Sequence, residues 1–218
     1  MTLRFNMLLA DAGIDPADVR LVRHQTSKVS GKTPYSLWRD NLSDFEIYQS
    51  TQDSEQRAKF NGRYWASFVS PPQGGTLFVG LYAVTRAGSV PQGTIDPYTK
   101  EPVGRNNKAP YDQYDYRLVE NLSEYIGRLY IKWGDSPSAY RAWVQRADKQ
   151  DKEIAELRTG RQEDPFPGFT KFIRPLSEIE AMPTSWKEAL SATKGVYLLT
   201  CPSTEKHYVG SACGEDGF

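Results

Sequence analysis

The sequence predicts an α+β protein: a β-rich, barrel-like N-terminal domain with flanking helices, followed by a helix and a β-hairpin. Three observations carry this. Aromatic and β-branched residues concentrate at 63–69 (RYWASFV) and 76–85 (TLFVGLYAVT), on either side of the turn-forming SPPQGG, which is a strand–loop–strand pattern. Residues 35–60 place Tyr35, Leu37, Trp38, Leu42, Phe45, Ile47 and Tyr48 at spacings near three and four, the period of a helix. Near the end, two strand-like runs flank the polar connector CPSTEK.

The elements follow in order. The N-terminus reads as a short amphipathic helix with Phe5, Leu8 and Leu9 on one side, ended by Gly13. Asp15-Pro16 is suited to start a second helix, because proline has no N–H to leave unpaired at the first helical position. Residues 26–34 form a polar loop, and Asn41 or Ser43 can cap a helix by accepting a hydrogen bond from its first turn. Residues 88–115 show little periodicity and are expected to be a long irregular loop. Residues 127–133 (GRLYIKW) alternate and predict a strand. Residues 137–158 are open between helix and strand, with a strand favoured for the first part. Residues 160–168 read as a linker-like turn, and 169–174 as a short strand. Residues 175–192 read as helix in two pieces broken at Pro183, the second capped by Thr184.

Composition narrows the function classes. The 218 residues include 27 Lys and Arg against 27 Asp and Glu, a balance that excludes a uniformly basic nucleic-acid coat but not a local basic groove. No apolar run approaches the roughly 18 residues of a membrane span, so no membrane partner is expected. Cys201 and Cys213 are too few for a disulfide framework, and a cytoplasmic location is the expectation. With His24 and His207 they form no metal-ligand spacing.

The hairpin carries the chemistry. It reads Gly195-Val196-Tyr197, then Leu198-Leu199-Thr200, the connector, and His207-Tyr208-Val209-Gly210. Gly-Val-Tyr followed by Tyr-Val-Gly, behind a helix, resembles the GIY-YIG nuclease family, and the glycine-containing tail resembles its restriction-type branch. The resemblance covers residues 184–218. It implies DNA phosphodiester hydrolysis with Tyr197 and Tyr208 as catalytic phenols near the scissile phosphate, and Gly195 and Gly210 as backbone positions of the motif. It also implies an arginine that stabilises phosphate charge and a glutamate that holds a divalent metal, magnesium being expected for the complete family domain. Neither has a counterpart in this chain. The hairpin is therefore expected to belong to an incomplete catalytic domain, with no metal held and no cutting by this chain alone. A single electrostatic donor to a transition state is already worth about 10²–10³ in rate.

The remainder is expected to be an N-terminal domain at 1–174 and a linker at 175–183. Tyr64-Trp65-Ala66-Ser67-Phe68 and the strand after it loosely resemble the PUA-like barrels, which implies selection of a DNA target or of a modified base. Candidate stacking residues are Trp38, Tyr64, Trp65 and Trp133, since reading a flipped base needs aromatic faces. Candidate phosphate or base contacts are Arg23, Lys28, Lys32, Arg39, Arg105, Asn107 and Lys108. The tyrosine-rich region 98–116 has the mix of aromatic, amide and basic groups suited to distorted nucleic acid. The expected partner is DNA, with a homo-oligomer left open. The competing reading is a non-catalytic nucleic-acid- or protein-binding module with a fortuitous C-terminal hairpin.

Overall fold

The computed structural model describes residues 2–25, 33–72, 74–104, 110–134, 142–160, 166–176, 179 and 182–213. The chain divides into two compact units, Met1–Gln162 and Glu163–Phe218, so the expected linker 175–183 falls inside the second.

The first unit is mixed α+β, with a curled, half-barrel sheet of eight strands and a few helices. Helix α1 (Phe5–Asp11) buries Phe5 and Leu9, as its spacing predicts, and Gly13 follows it at φ +71°. Asp15 accepts from the Ala17 amide and Pro16 opens only a single 3-10 turn, because β1 (Val19–His24) begins at once. Thr33 and Ser36 cap α2 (Pro34–Asp40) reciprocally, each accepting from the other's backbone N–H. Asn41 Oδ1 accepts from the Asp44 amide and starts α3 (Leu42–Ser50). Strand β2 (Thr51–Asp53) and a 3-10 helix, Ser54–Phe60, lead to β3 (Tyr64–Val69). The remaining strands are β4 (Thr76–Ser89), β5 (Tyr111–Leu118), β6 (Leu129–Ile131), β7 (Val144–Arg146) and β8 (Ile154–Leu157).

The strand order is β2-β5-β4-β3-β1-β7, with β6 also on β4 and β8 on β6. Among the described residues only β1 with β3 pairs in parallel; the crossover between them contains α2 and α3. Strand β4 carries two neighbours along one edge: Thr76 and Leu77 pair with β6, and Tyr82–Ser89 with β5. Between these halves β4 bulges: Ser67 pairs with Gly80 but Phe68 with Phe78, which leaves Val79 as the extra residue beside Gly80. A Cβ at Gly80 would stand 2.7 Å from Tyr82 Cε2 and 3.0 Å from Leu118 Cδ1, so glycine lets the strand turn against its own neighbours.

Both faces of the sheet are covered. On one, Phe5 and Leu9 pack with Val19, Leu21, Phe68, Phe78, Leu129 and Ile131. On the other, Tyr35, Leu37, Trp38 and Phe45 cover Val69, Leu77 and Val79, while Phe60 covers Trp65, Tyr82 and Tyr114. That explains why β1 has no exposed residue. It also buries polar groups. His24 is 4% exposed, with ring centres of Phe45 and Tyr48 at 5.1 and 5.4 Å. Burial drives its pKa from 6.5 down to about 4, with the Gln49 side chain opposing. Ser67 Oγ donates to Gln49 Oε1 at 2.7 Å in the same layer.

One expectation is corrected here, and one open reading is closed. The irregular loop at 88–115 is bounded by strand at both ends: β4 runs to Ser89, and β5 takes Tyr111, Tyr114 and Tyr116 into the sheet. In its remainder, Asp96 Oδ1 accepts from the amides of Tyr98 and Thr99 in a side-chain-closed turn, and Tyr98 is buried. The segment 154–157, open to helix, is strand β8.

The second unit holds helix α4 (Thr184–Ser191) and a hairpin of β9 (Gly195–Thr200) and β10 (His207–Ala212). Segment 169–174 is not a strand. Phe169–Lys171 is a 3-10 turn, and Phe166, Phe169 and Phe172 cluster by ring contact, the first and last also meeting Trp186 of α4. The helix starts one position earlier than the cap expected: Pro183 is the N-cap, with no side-chain capping bond, and Thr184 is the first helical residue.

Candidate functional site

The hairpin follows from alternation on both arms and a polar turn. Glu205, at φ +56°, and the Cys201 amide, which donates to the Lys206 carbonyl at 2.9 Å, close the turn. The register pairs Tyr197 with Gly210 and Leu199 with Tyr208. Side chains directly opposite in an antiparallel pair share a face, and so do those two residues apart. Tyr197 and Tyr208 therefore stand on one face, with ring centres 6.3 Å apart.

Gly210 makes that arrangement fit. A Cβ there would lie 2.5 Å from Tyr197 Oη and 2.7 Å from its Cε2, so the phenol rests on the bare backbone of the opposite strand. Gly195 pairs with Ala212 at the other end of the ladder. Tyr197 is half-buried and Tyr208 exposed. The unit thus presents two phenols side by side, one of them open to a ligand. A phenol at neutral pH donates and accepts hydrogen bonds, which suits it to orient a water or hold a phosphate oxygen. His207 lies on the opposite face, its Nδ1 3.1 Å from Thr200 Oγ1, and Val196, Leu198 and Val209 stand exposed beside it. At the turn, a hydrogen bond with Ser203 lowers the Cys201 thiol to about 7, with Sγ 3.2 Å from Ser203 Oγ. Among the described residues no cluster of three His, Cys, Asp or Glu could hold a metal ion.

In the first unit the expected contact residues separate. Trp38 lies in the core against Tyr35 and Phe45, and Arg39 is held bidentate by Asp40, at 2.7 Å from each nitrogen. Trp65, 1% exposed, sits between Phe60 and Tyr114, with ring centres at 5.0 and 4.7 Å. Neither indole offers a face to a ligand in this structure. Trp133 is also buried, under the Arg23 guanidinium at 4.9 Å and the Lys152 ammonium at 5.2 Å, so Arg23 is a core residue and not a surface cation. Burial, with Arg23 adding, lowers the Lys152 pKa to about 8. Lys28, Lys32, Arg105, Asn107 and Lys108 lie outside the described residues.

Tyr64 is different. It is half-buried and heads a row across three strands, Tyr64–Ala83–Arg117, set by the register of β3, β4 and β5. The small Ala83 between a tyrosine and an arginine leaves a trough of about 420 Å³, rimmed also by Arg63, Thr85, Asp115 and Tyr116. The Arg63 guanidinium lies 5.8 Å from the Tyr64 ring centre. Neither Arg63 nor Arg117 stood out in the sequence; the signal was only that arginine immediately precedes Tyr64 and follows the Tyr-x-Tyr run of β5.

The fold and the hairpin define a mixed α+β protein with a curled sheet in its first unit and a two-tyrosine ribbon in its second. Among the described residues no helix is long and apolar enough to cross a membrane. No protein-family profile, curated protein or solved structure matches the chain.

Proposed function

We propose that the chain is the DNA-selecting part of a GIY-YIG-type endonuclease, together with the tyrosine hairpin of its cutting centre. The observation that carries the reading is the pairing of Tyr197 and Tyr208 on one hairpin face, with Tyr197 laid on Gly210. Phosphodiester hydrolysis needs an oriented water and a clamp on the charge that develops at phosphorus. The phenols serve the first need: the exposed Tyr208 meets the water or the phosphate, and Tyr197 holds the local geometry. The second need falls to the arginine and metal that the resemblance implies, for which residues 184–213 offer no counterpart. Magnesium supplies charge neutralisation in such a centre, and here the chain's own contribution is to orient. The Tyr64–Ala83–Arg117 trough supports the selecting role, since a flat group can lie on the Tyr64 ring with a guanidinium at its edge. A restriction enzyme that senses modified DNA combines these two parts.

The test is a gel shift with plain and base-modified duplexes in low salt with magnesium. Binding without strand scission is expected. Failure to bind any duplex under those conditions removes the DNA-selecting role. Metal-dependent cutting by the purified 218-residue chain would overturn the assignment of the hairpin as only part of a centre.

A further inference from the structure

Asp112 of β5 is 1% exposed, and it is shared by two arginines from distant parts of the first unit. Arg57, in the 3-10 helix after β2, donates from Nε to Oδ2 at 2.6 Å and from Nη2 to Oδ1 at 2.8 Å. Arg86, on β4, donates from Nε to Oδ1 at 2.8 Å, with Nη2 also at 2.8 Å. The arginine side chains are not buried with the carboxylate: they remain 50% and 39% exposed. Arg57, then Arg86, holds the Asp112 carboxyl below the usual carboxylate range. The cluster therefore carries one net positive charge, with the anion inside and both cations at the surface.

The donor inventory is specific. A guanidinium has five N–H groups in a planar fork, and Asp112 engages one edge of each. On both arginines the Nη1 amino group is left with no partner among the described residues. Asp53 and Glu55, the acids closest in sequence to Arg57, pair with neither arginine. A surface arginine ordinarily loses rotamer freedom when it binds. Here a buried carboxylate has already fixed both forks. Two half-exposed guanidiniums held in place, each with an amino group that Asp112 leaves unused, and a surplus positive charge suit a tetrahedral oxyanion.

We infer that Arg57 and Arg86, locked by Asp112, form a preorganised clamp for one backbone phosphate of nucleic acid. The clamp rests on the DNA-selecting role proposed for the first unit and assigns it a phosphate contact. Base identity plays no part in such a contact; it fixes register and orientation.

Two measurements on the full chain test it. Duplex affinity across a potassium chloride series should show a log–log slope that becomes shallower by about one in the Arg57→Gln, Arg86→Gln double variant, with affinity lower by about tenfold, equally for all sequences. Asp112→Asn separates a clamp from a diffuse patch. It raises net charge, so a patch would bind more tightly, whereas a clamp without its anchor binds more weakly. Because Asp112→Asn can unfold a buried site, the second measurement uses the unaltered protein: the arginine Nε–Hε resonances of residues 57 and 86 should shift together on adding duplex, and less on adding inorganic phosphate. An unchanged slope in the double variant, with resonances that stay still, overturns the clamp while leaving DNA selection standing. A response to inorganic phosphate alone overturns its assignment to nucleic acid. No duplex binding by the unaltered chain at any salt overturns both.

Discussion

Acidification should destabilise this protein through one imidazole. His24 is enclosed by Phe45 and Tyr48, and burial lowers its pKa to about 4. In the unfolded chain it takes a proton near 6.5. Between these values the unfolded state binds a proton that the folded state refuses, so stability is full above about 6.5 and declines as pH falls to about 4. Below that both states are protonated and His24 adds no further loss. At about 1.4 kcal/mol per unit the gap corresponds to about 3 kcal/mol, a large part of the roughly 5–15 kcal/mol that holds a typical domain together. Two carboxylates of the first unit act differently. Glu46 of α3 has a raised pKa from burial, so it opposes the trend in the same acid range, and Asp112 has a lowered one, so its contribution is lost only as pH drops through and below 3.8. The assay is urea unfolding at intervals from pH 7.5 to 4, for the protein and for His24→Leu. The slope of stability against pH should flatten in the variant. An equal slope in both, or a His24 ring resonance that titrates near 6.5 in the folded protein, refutes the reasoning.

Phe5 is fully buried, edge-on to Phe68 at 5.5 Å and tilted to Phe78 at 5.7 Å, so Phe5→Ala should cost about 3–5 kcal/mol, read as a lower urea midpoint at unchanged slope. Gly210→Val must displace the Tyr197 ring; the Tyr197–Tyr208 cross-peaks in a proton NMR spectrum should vanish while those of the first unit persist, and cross-peaks of unchanged strength would contradict the close approach. Cys201 should be alkylated by iodoacetamide with an inflection near pH 7, and an inflection above 8 would show that the Ser203 contact does not stabilise the thiolate. Arg158 donates to the Tyr130 hydroxyl at 3.1 Å from a position 4.2 Å from the ring centre, so Arg158→Ala should cost roughly 0.5–1 kcal/mol, too little to alter the fold seen by circular dichroism.

Local chemistry made part of the fold legible. Asn41 capping, the 63–69 and 76–85 strands and the terminal hairpin all depend on residues within a few positions of one another, and all are found in the structure. Strand β5 was not legible. Tyr-Asp-Gln-Tyr-Asp-Tyr looks like a polar loop until Arg57 and Arg86 neutralise Asp112, and neither is near it in the chain. Segment 169–174 suggested a strand, whereas its Phe172 packs with Phe166 and with Trp186, side chains outside the segment. Among site residues, the shared face of Tyr197 and Tyr208 is a matter of counting along a ribbon. The fates of Trp38, Trp65 and Tyr64 are not: which aromatic is sealed in and which borders a trough depends on what α2, Phe60 and Ala83 place beside them.

The parallel match of β1 with β3 has a kinetic consequence. Val19 meets Tyr64, and everything between them must already be threaded over the sheet before a single rung can form. Local loops close in well under a microsecond, but a rung of this span is won late and against chain entropy. Refolding should therefore be slow, in milliseconds to seconds, and the aromatic-rich edge of β3 left waiting in the interim is the segment most prone to stick to its neighbours in a crowded refolding tube.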